Sequence, residues 1–142
     1  MFFKGGAAMA EEIKAIRSYT PRLKLGNMVD IKELVSIIQG RTSFNEGAIL
    51  NMLTELRDAI IFFALAGRPV RLRELGIFAP RIDKNGRLGI NFKIDKWLKS
   101  EMNVEGKYNG VIVNKDMIGK SIEEMIQRWN QEHPDDEIKL NS

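Results

Sequence analysis

The chain has no cysteine and a single histidine. Disulfides and thiolate chemistry are therefore excluded, and the usual ligands of a structural zinc site are missing. Long apolar runs are missing too. The oiliest stretch, residues 59–66, is eight residues long and is bounded by Asp58 and by Gly67 with Arg68, whereas a membrane-spanning helix needs about 20 apolar residues. The first residues hold one lysine and only two adjacent phenylalanines, too short a run for a secretory signal, so a cytoplasmic location is expected. No internal repeat or low-complexity tract is present. Hydrophobic residues at 44% and charged residues at 29% are ordinary for a folded chain. The length of 142 residues fits one compact unit with at most a small appendage.

A strong overall charge is lacking as well. The net +3 does not by itself imply nucleic acid, but its distribution is informative. Residues 68–107 hold ten basic side chains against five acidic ones, so the rest of the chain is net acidic.

Helix signals come early. Asp30 followed by Glu33 has capping-box spacing, and apolar positions from Ile31 to Ile38 predict a short helix ending near Gly40. Ser43 with Glu46 predicts a second, longer helix closed by Gly67. The last two turns of that helix are apolar on every face, more than one small chain can cover, and a second copy packed against it would supply the rest.

In "PVRLREL" the alternation of Val70 and Leu72 with Arg71 and Arg73 predicts a strand. Asn85-Gly86 predicts a tight hairpin turn between residues 77–82 and 88–92, with Pro80 at an edge or bulge. "DKWLKSEM" predicts a short helix with Trp97 and Leu98 against the core. "KYNGVIVN" predicts a strand, and Ser121 with Glu124 caps a last helix before a loose tail "PDDEIKLNS". Residues 1–28 form an amino-terminal extension in which Met9 is a candidate start and residues 1–8 are expected to be disordered. "EIKAIRSY" within it reads as a strand or half-turn.

This order of elements, with Gly67, Val70, Leu72, Leu75, Gly76 and Phe78 in one register and Phe92, Lys93, Lys96, Leu98 and Lys99 in a second, resembles the HU/IHF family of bacterial histone-like, nucleoid-associated proteins. The resemblance covers residues 29–102, with residues 103–142 as a carboxy-terminal strand-helix extension. It implies an α+β fold: a helical base carrying a small antiparallel sheet with a hairpin arm, intertwined as a dimer whose arms hold DNA through the minor groove. The implied dimer core comprises Ile60, Ile61, Phe62, Phe63, Leu65, Phe78 and Phe92. Asp95 departs from the family glycine. Only thirteen residues separate Phe78 from Phe92, roughly half the family's arm, and "DKNGR" has no counterpart of the Arg-Asn-Pro tip whose proline wedges between base pairs.

The expected interface with double-stranded DNA is therefore electrostatic. It consists of Arg81, Lys84 and Arg87 on the hairpin, with Arg71, Arg73, Lys93 and Lys96 nearby, and would give weakly sequence-specific, salt-dependent binding. The same charges also read as a solvated sheet face that prevents aggregation.

Other strings fail on their chemistry. "GKS" at residues 119–121 lacks the second P-loop glycine, which would fall at Asn114. "DKNG" lacks the acidic residues of a calcium loop, having Arg87 and Ile94 at the fifth and twelfth positions. His133 stands alone at a helix end, where it suits a terminal carbonyl, and the aromatic residues sit among apolar neighbours as core. No catalytic constellation, cofactor site or metal site is expected. The alternative to a homodimeric DNA-binding protein is a dimeric scaffold on a degenerate HU-like fold, with a protein partner met through residues 103–142 around Trp129.

Overall fold

The computed structural model describes the backbone of residues 4–139 and the side chains of residues 10–139. In chain order the elements are α1 (Lys4–Tyr19), β1 (Arg22–Lys24), α2 (Ile31–Arg41), α3 (Glu46–Leu65), β2 (Val70–Leu72), β3 (Gly76–Ile82), β4 (Leu88–Ile94), α4 (Lys96–Met102), β5 (Val111–Val113), a 3-10 turn (Lys115–Met117) and α5 (Ile122–Glu132). The fold is α+β. It forms two compact units, not the one expected: a central unit of residues 27–109, and a second unit built from residues 1–26 and 110–142 together.

In the central unit, α2 starts where expected, with the Asp30 carboxylate accepting from the Glu33 N–H at 3.0 Å. The start of α3 differs from expectation. Its cap is Asn45, whose side chain accepts from the Ala48 N–H at 2.8 Å, and Ser43 lies in the preceding loop. An asparagine amide caps as well as a hydroxyl and stands next to the first helical residue. Along α3, Ile49 and Ala64 are buried and Leu53, Leu56 and Ile60 half-buried, a stripe at helical spacing. The helix ends in a Schellman motif: Gly67, at φ +74°, donates to the Ala64 carbonyl at 2.9 Å and Arg68 donates to that of Phe63 at 3.0 Å.

The three strands of the central unit are antiparallel in the order β2-β3-β4. Leu72 pairs with Gly76, and Gly76 with Ile94. A Cβ on Gly76 would stand 2.3 Å from the Lys93 carbonyl oxygen and 2.7 Å from the Phe92 ring, so only glycine fits. Pro80 lies in β3 beyond the end of β2, on a stretch where β3 is locally an edge. The pairing of Leu72 with Gly76 and of Val70 with Phe78 sets the alternation, so the missing N–H at position 80 would face that open side.

The hairpin turn is one residue wider than a two-residue Asn-Gly turn. Gly86 donates to the Asp83 carbonyl at 3.1 Å, and the Asp83 carboxylate accepts from the N–H groups of Asn85 and Arg87 at 2.8 and 2.9 Å. Gly86 alone has positive φ, at +81°. A type I turn followed by a left-handed glycine has this form. Among the described residues Asp95 makes no ion pair; its carboxylate accepts from the Trp97 N–H at 2.9 Å and caps α4. Trp97 is about half exposed in the single chain, so the expected packing of its ring against the core is not found, and only Leu98 is half-buried.

The second unit corrects the reading of both chain ends. "EIKAIRSY" is helical, part of α1, with Ala15 and Tyr19 buried four residues apart on one face. Residues 4–8 are its first turn, and residues 1–3 of the expected disordered segment lie outside the described residues. The two ends are one structure: β1 pairs antiparallel with β5, Leu23 opposite Ile112. The Asn114 side chain donates to the carbonyls of Ser18 and Thr20 at 2.7 and 3.3 Å, closing the end of α1 from 96 residues away. Ser121 and Glu124 complete a capping box on α5.

Nor is the tail loose up to residue 139. Ile138 is 3% exposed in the core with Tyr19, Met117, Met125 and Ile126. Its N–H and C=O both bond the Asn130 side chain, at 2.7 and 2.8 Å. Residues 140–142 lie outside the described residues.

Candidate nucleic-acid interface

The ladder gives the central sheet two unlike faces. One face carries the pairs Val70–Phe78, Phe78–Phe92, Pro80–Ile90 and Ile82–Leu88, all apolar. The opposite face carries Arg71, Ile77 and Lys93 side by side across the three strands, then Ala79 with Asn91, then Arg81 with Gly89. Lys84 and Arg87 stand at the turn, and Lys96 opens α4. Of the seven expected cations, Arg71, Arg81, Lys93, Lys84 and Arg87 thus fall on this face or at its tip, and Lys96 borders it. Arg71, Lys93 and Lys96 line a common depression with Ile77, Gly76 and Asp95.

Arg73 is the exception. It lies in the β2–β3 connection, beside Glu74 at 3.9 Å. The other six make no ion pair among the described residues. Asp83 and Asp95 each turn one carboxylate oxygen to backbone N–H groups, and neither forms an ion pair among the described residues. Six cations without ion-pair partners among the described residues, on one face of the sheet, at its tip and at its border, form a surface that an anionic polymer can neutralise.

The apolar face looks toward α3 across an open cleft. A cavity of about 580 Å³ is lined by Leu53, Leu56, Ile60, Ile61, Phe78 and Phe92, among others. A second, of about 340 Å³, continues it past Ile61, Leu65, Leu88 and Ile90. Phe78 and Phe92 face each other at 4.7 Å between ring centres. Phe62 and Phe63 meet edge to face at 5.3 Å, and Arg68 stands over the Phe63 ring. Phe62 is 69% exposed and Leu65 75%. All seven residues expected in a dimer core are thus on α3 or the hairpin, and five line the cleft or its continuation. Sequence reasoning missed Leu53, Leu56 and Ile90 as cleft residues, although the Ile49, Leu53, Leu56, Ile60, Ala64 spacing on α3 marks the first two.

Burial in this unit is slight. Val35, Ile49 and Ala64 are the only apolar side chains buried among its described residues, too few to hold a domain of this size by themselves.

The second unit holds a separate cluster. The buried Tyr19 hydroxyl donates to Glu132. Arg128 pairs with Asp116 at 2.8 Å and with Glu132 at 3.1 Å, and lies over the Tyr19 ring. Burial and the Glu132 hydrogen bond push Tyr19 up to about 12. The bonds from Tyr19 and Arg128 hold Glu132 below the usual carboxylate range. Trp129 stacks on His133 and donates to the Asp136 carbonyl at 2.8 Å. Its indole, partly buried, is thus engaged within the unit. Among the described residues no group of three acidic or histidine side chains is placed to hold a metal ion, and no helix is long and apolar enough to cross a membrane.

Residues 8–108 match the family model described as an HU domain fused to a winged helix-turn-helix, immunoglobulin-like or glycine-rich motif. The chain belongs to this HU-domain family. The match begins within α1, passes through β1 and takes in nearly all of the central unit. HU domains imply DNA as the general class of partner. No curated protein and no solved structure matches the chain.

Proposed function

We propose that the protein is a non-catalytic, nucleoid-associated DNA-binding protein that works as a homodimer and grips phosphates through short cationic hairpins. The observation that carries this reading is the division of the sheet. One face presents arginines and lysines that make no ion pair among the described residues, while the other, with α3, presents an apolar cleft that the single chain leaves open. Covering large side chains such as Phe62 and Leu65 contributes roughly 1.5–3 kcal/mol each, and a second copy offers the same residues in return.

Contact through phosphates alone carries little sequence information. With no aromatic or proline among Asp83, Lys84, Asn85, Gly86 and Arg87, the turn itself has no side chain suited to unstacking bases. The short arm is therefore expected to bend DNA only modestly.

The test is the triple charge reversal Arg81→Glu, Lys84→Glu and Arg87→Glu. Duplex binding measured by fluorescence anisotropy should be abolished, while sedimentation shows self-association unchanged. Undiminished binding would overturn the assignment to the hairpin.

A further inference from the structure

The second unit is free of acids over the two stretches that its sheet brings together. Residues 13–26 and 110–115 hold Lys14, Arg17, Arg22, Lys24 and Lys115 and not one aspartate or glutamate, while all nine acidic residues of the unit lie outside them. The antiparallel pairing of β1 with β5 places Arg22 opposite Val113 and Lys24 opposite Val111. Alternation along β1 puts Arg22 and Lys24 on one side of this ribbon, about 7 Å apart. Asn114 ties the end of β5 to the carbonyls of Ser18 and Thr20. Lys115 is thereby brought to the end of α1, where Arg17 stands in the last turn.

Local stability accounts for only part of this charge. Lys14 pairs with Asp136 at 3.3 Å, and Arg17 suits the carbonyl end of its helix. Arg22, Lys24 and Lys115 have no such role. All three are exposed, and none makes an ion pair among the described residues. Asp116, next to Lys115 in sequence, pairs with Arg128 at 2.8 Å. Charge serving to blunt open strand edges would be wanted on both strands, yet β5 consists of Val111, Ile112 and Val113.

We propose that the β1–β5 ribbon is a second phosphate-contacting surface, with Arg22 and Lys24 as its principal contacts and Lys115 and Arg17 beside them. The inference rests on the DNA-binding reading above and extends it beyond the hairpin. A surface with cations and no acid attracts a polyanion without opposing repulsion, and the guanidinium of Arg22 matches the geometry of a phosphate. Once the hairpin is engaged, the ribbon meets the same polymer at a raised effective concentration, so it adds affinity without reading bases. It strengthens the hold of the hairpin and is too small to hold a duplex alone.

The test is the double reversal Arg22→Glu with Lys24→Glu in the full-length chain, with duplex binding followed by fluorescence anisotropy over a series of salt concentrations. Affinity at low salt should fall about tenfold or more, and the slope of log affinity against log salt should shrink by about 1.8, two phosphate contacts at about 0.9 each. The neutral pair Arg22→Gln with Lys24→Gln should shrink the slope equally, and serves where the reversal disturbs folding. Lys32→Glu with Arg41→Glu makes the same change in net charge on α2, where both side chains are exposed, and should leave the slope at its wild-type value. Ribbon variants with the wild-type slope, or a loss of slope as large from the α2 pair, would overturn the ribbon contact and leave the hairpin reading standing. A wild-type chain that binds no duplex at low salt would overturn both.

Discussion

Arg81 and Gly89 are ladder partners, and the guanidinium of Arg81 lies across Gly89, where a Cβ would come within 2.9 Å of it. The glycine leaves the space in which the arginine lies flat over the hairpin, so a residue without a side chain sets the direction of one with a long charged side chain.

Gly89→Val should therefore displace the Arg81 guanidinium while leaving the ladder intact, because valine suits a strand. Duplex affinity should fall, and the slope of log affinity against log salt should shrink by about 0.9, the change expected for one lost phosphate contact. Arg81→Ala should give the same slope. A Gly89→Val protein with the wild-type slope would show that the arrangement is irrelevant to binding.

Gly76→Ala tests the tightest backbone approach in the sheet. The added methyl must clear both the Lys93 carbonyl and the Phe92 ring, and overpacking of this kind costs about 1–3 kcal/mol. Urea unfolding should move to lower denaturant by that amount, and an unchanged midpoint would contradict the close approach.

In the second unit, Ile138→Ala should destabilise by about 2–4 kcal/mol, as expected for a buried isoleucine. Thermal unfolding of the two proteins gives the difference directly, and a loss of a few tenths would mean that residues 134–139 are as loose as their sequence suggests.

The Tyr19–Glu132–Arg128 cluster sets a pH dependence. Tyr19 has its folded pKa raised, so the stability it contributes is complete below its ordinary value near 10 and disappears as pH climbs toward 12. Glu132 has its folded pKa lowered, so its contribution is present above the ordinary carboxylate range and disappears as pH falls through it. Tyr19→Phe should cost about 1 kcal/mol at neutral pH from the lost hydrogen bond. The difference in stability between the two proteins should narrow above pH 10. A constant difference up to pH 12 would contradict the burial of the hydroxyl.

The central unit was largely legible because its signals are local. Asp30, Gly67, the Val70–Leu72 alternation and the Asn85-Gly86 turn each act within a few residues, and their spacing points to the same elements that the fold contains. The second unit was not legible, for the opposite reason. Alanine-rich α1 has little periodic contrast before Ile13, and what makes it a packed helix is α5 and Ile138, more than a hundred residues later. Asn114 closing the end of α1 is likewise invisible to any local window. Trp97 was misplaced because an aromatic on a short helix suggests burial, whereas one chain supplies nothing to cover it. At the candidate interface the alternation of arginines was readable, but which cations lack an ion-pair partner was not, because that depends on where Asp83 and Asp95 direct their carboxylates.

The central claim is that the hairpin cations of the HU domain hold phosphates. It is tested most directly by titrating a fluorescent duplex of about 30 base pairs with the intact protein at two salt concentrations. Sub-micromolar binding at low salt that weakens steeply, with a slope reflecting several phosphate contacts, is the predicted result. Absence of binding at low salt would contradict the account and leave the arginines as a solubilising face on a fold that meets other proteins.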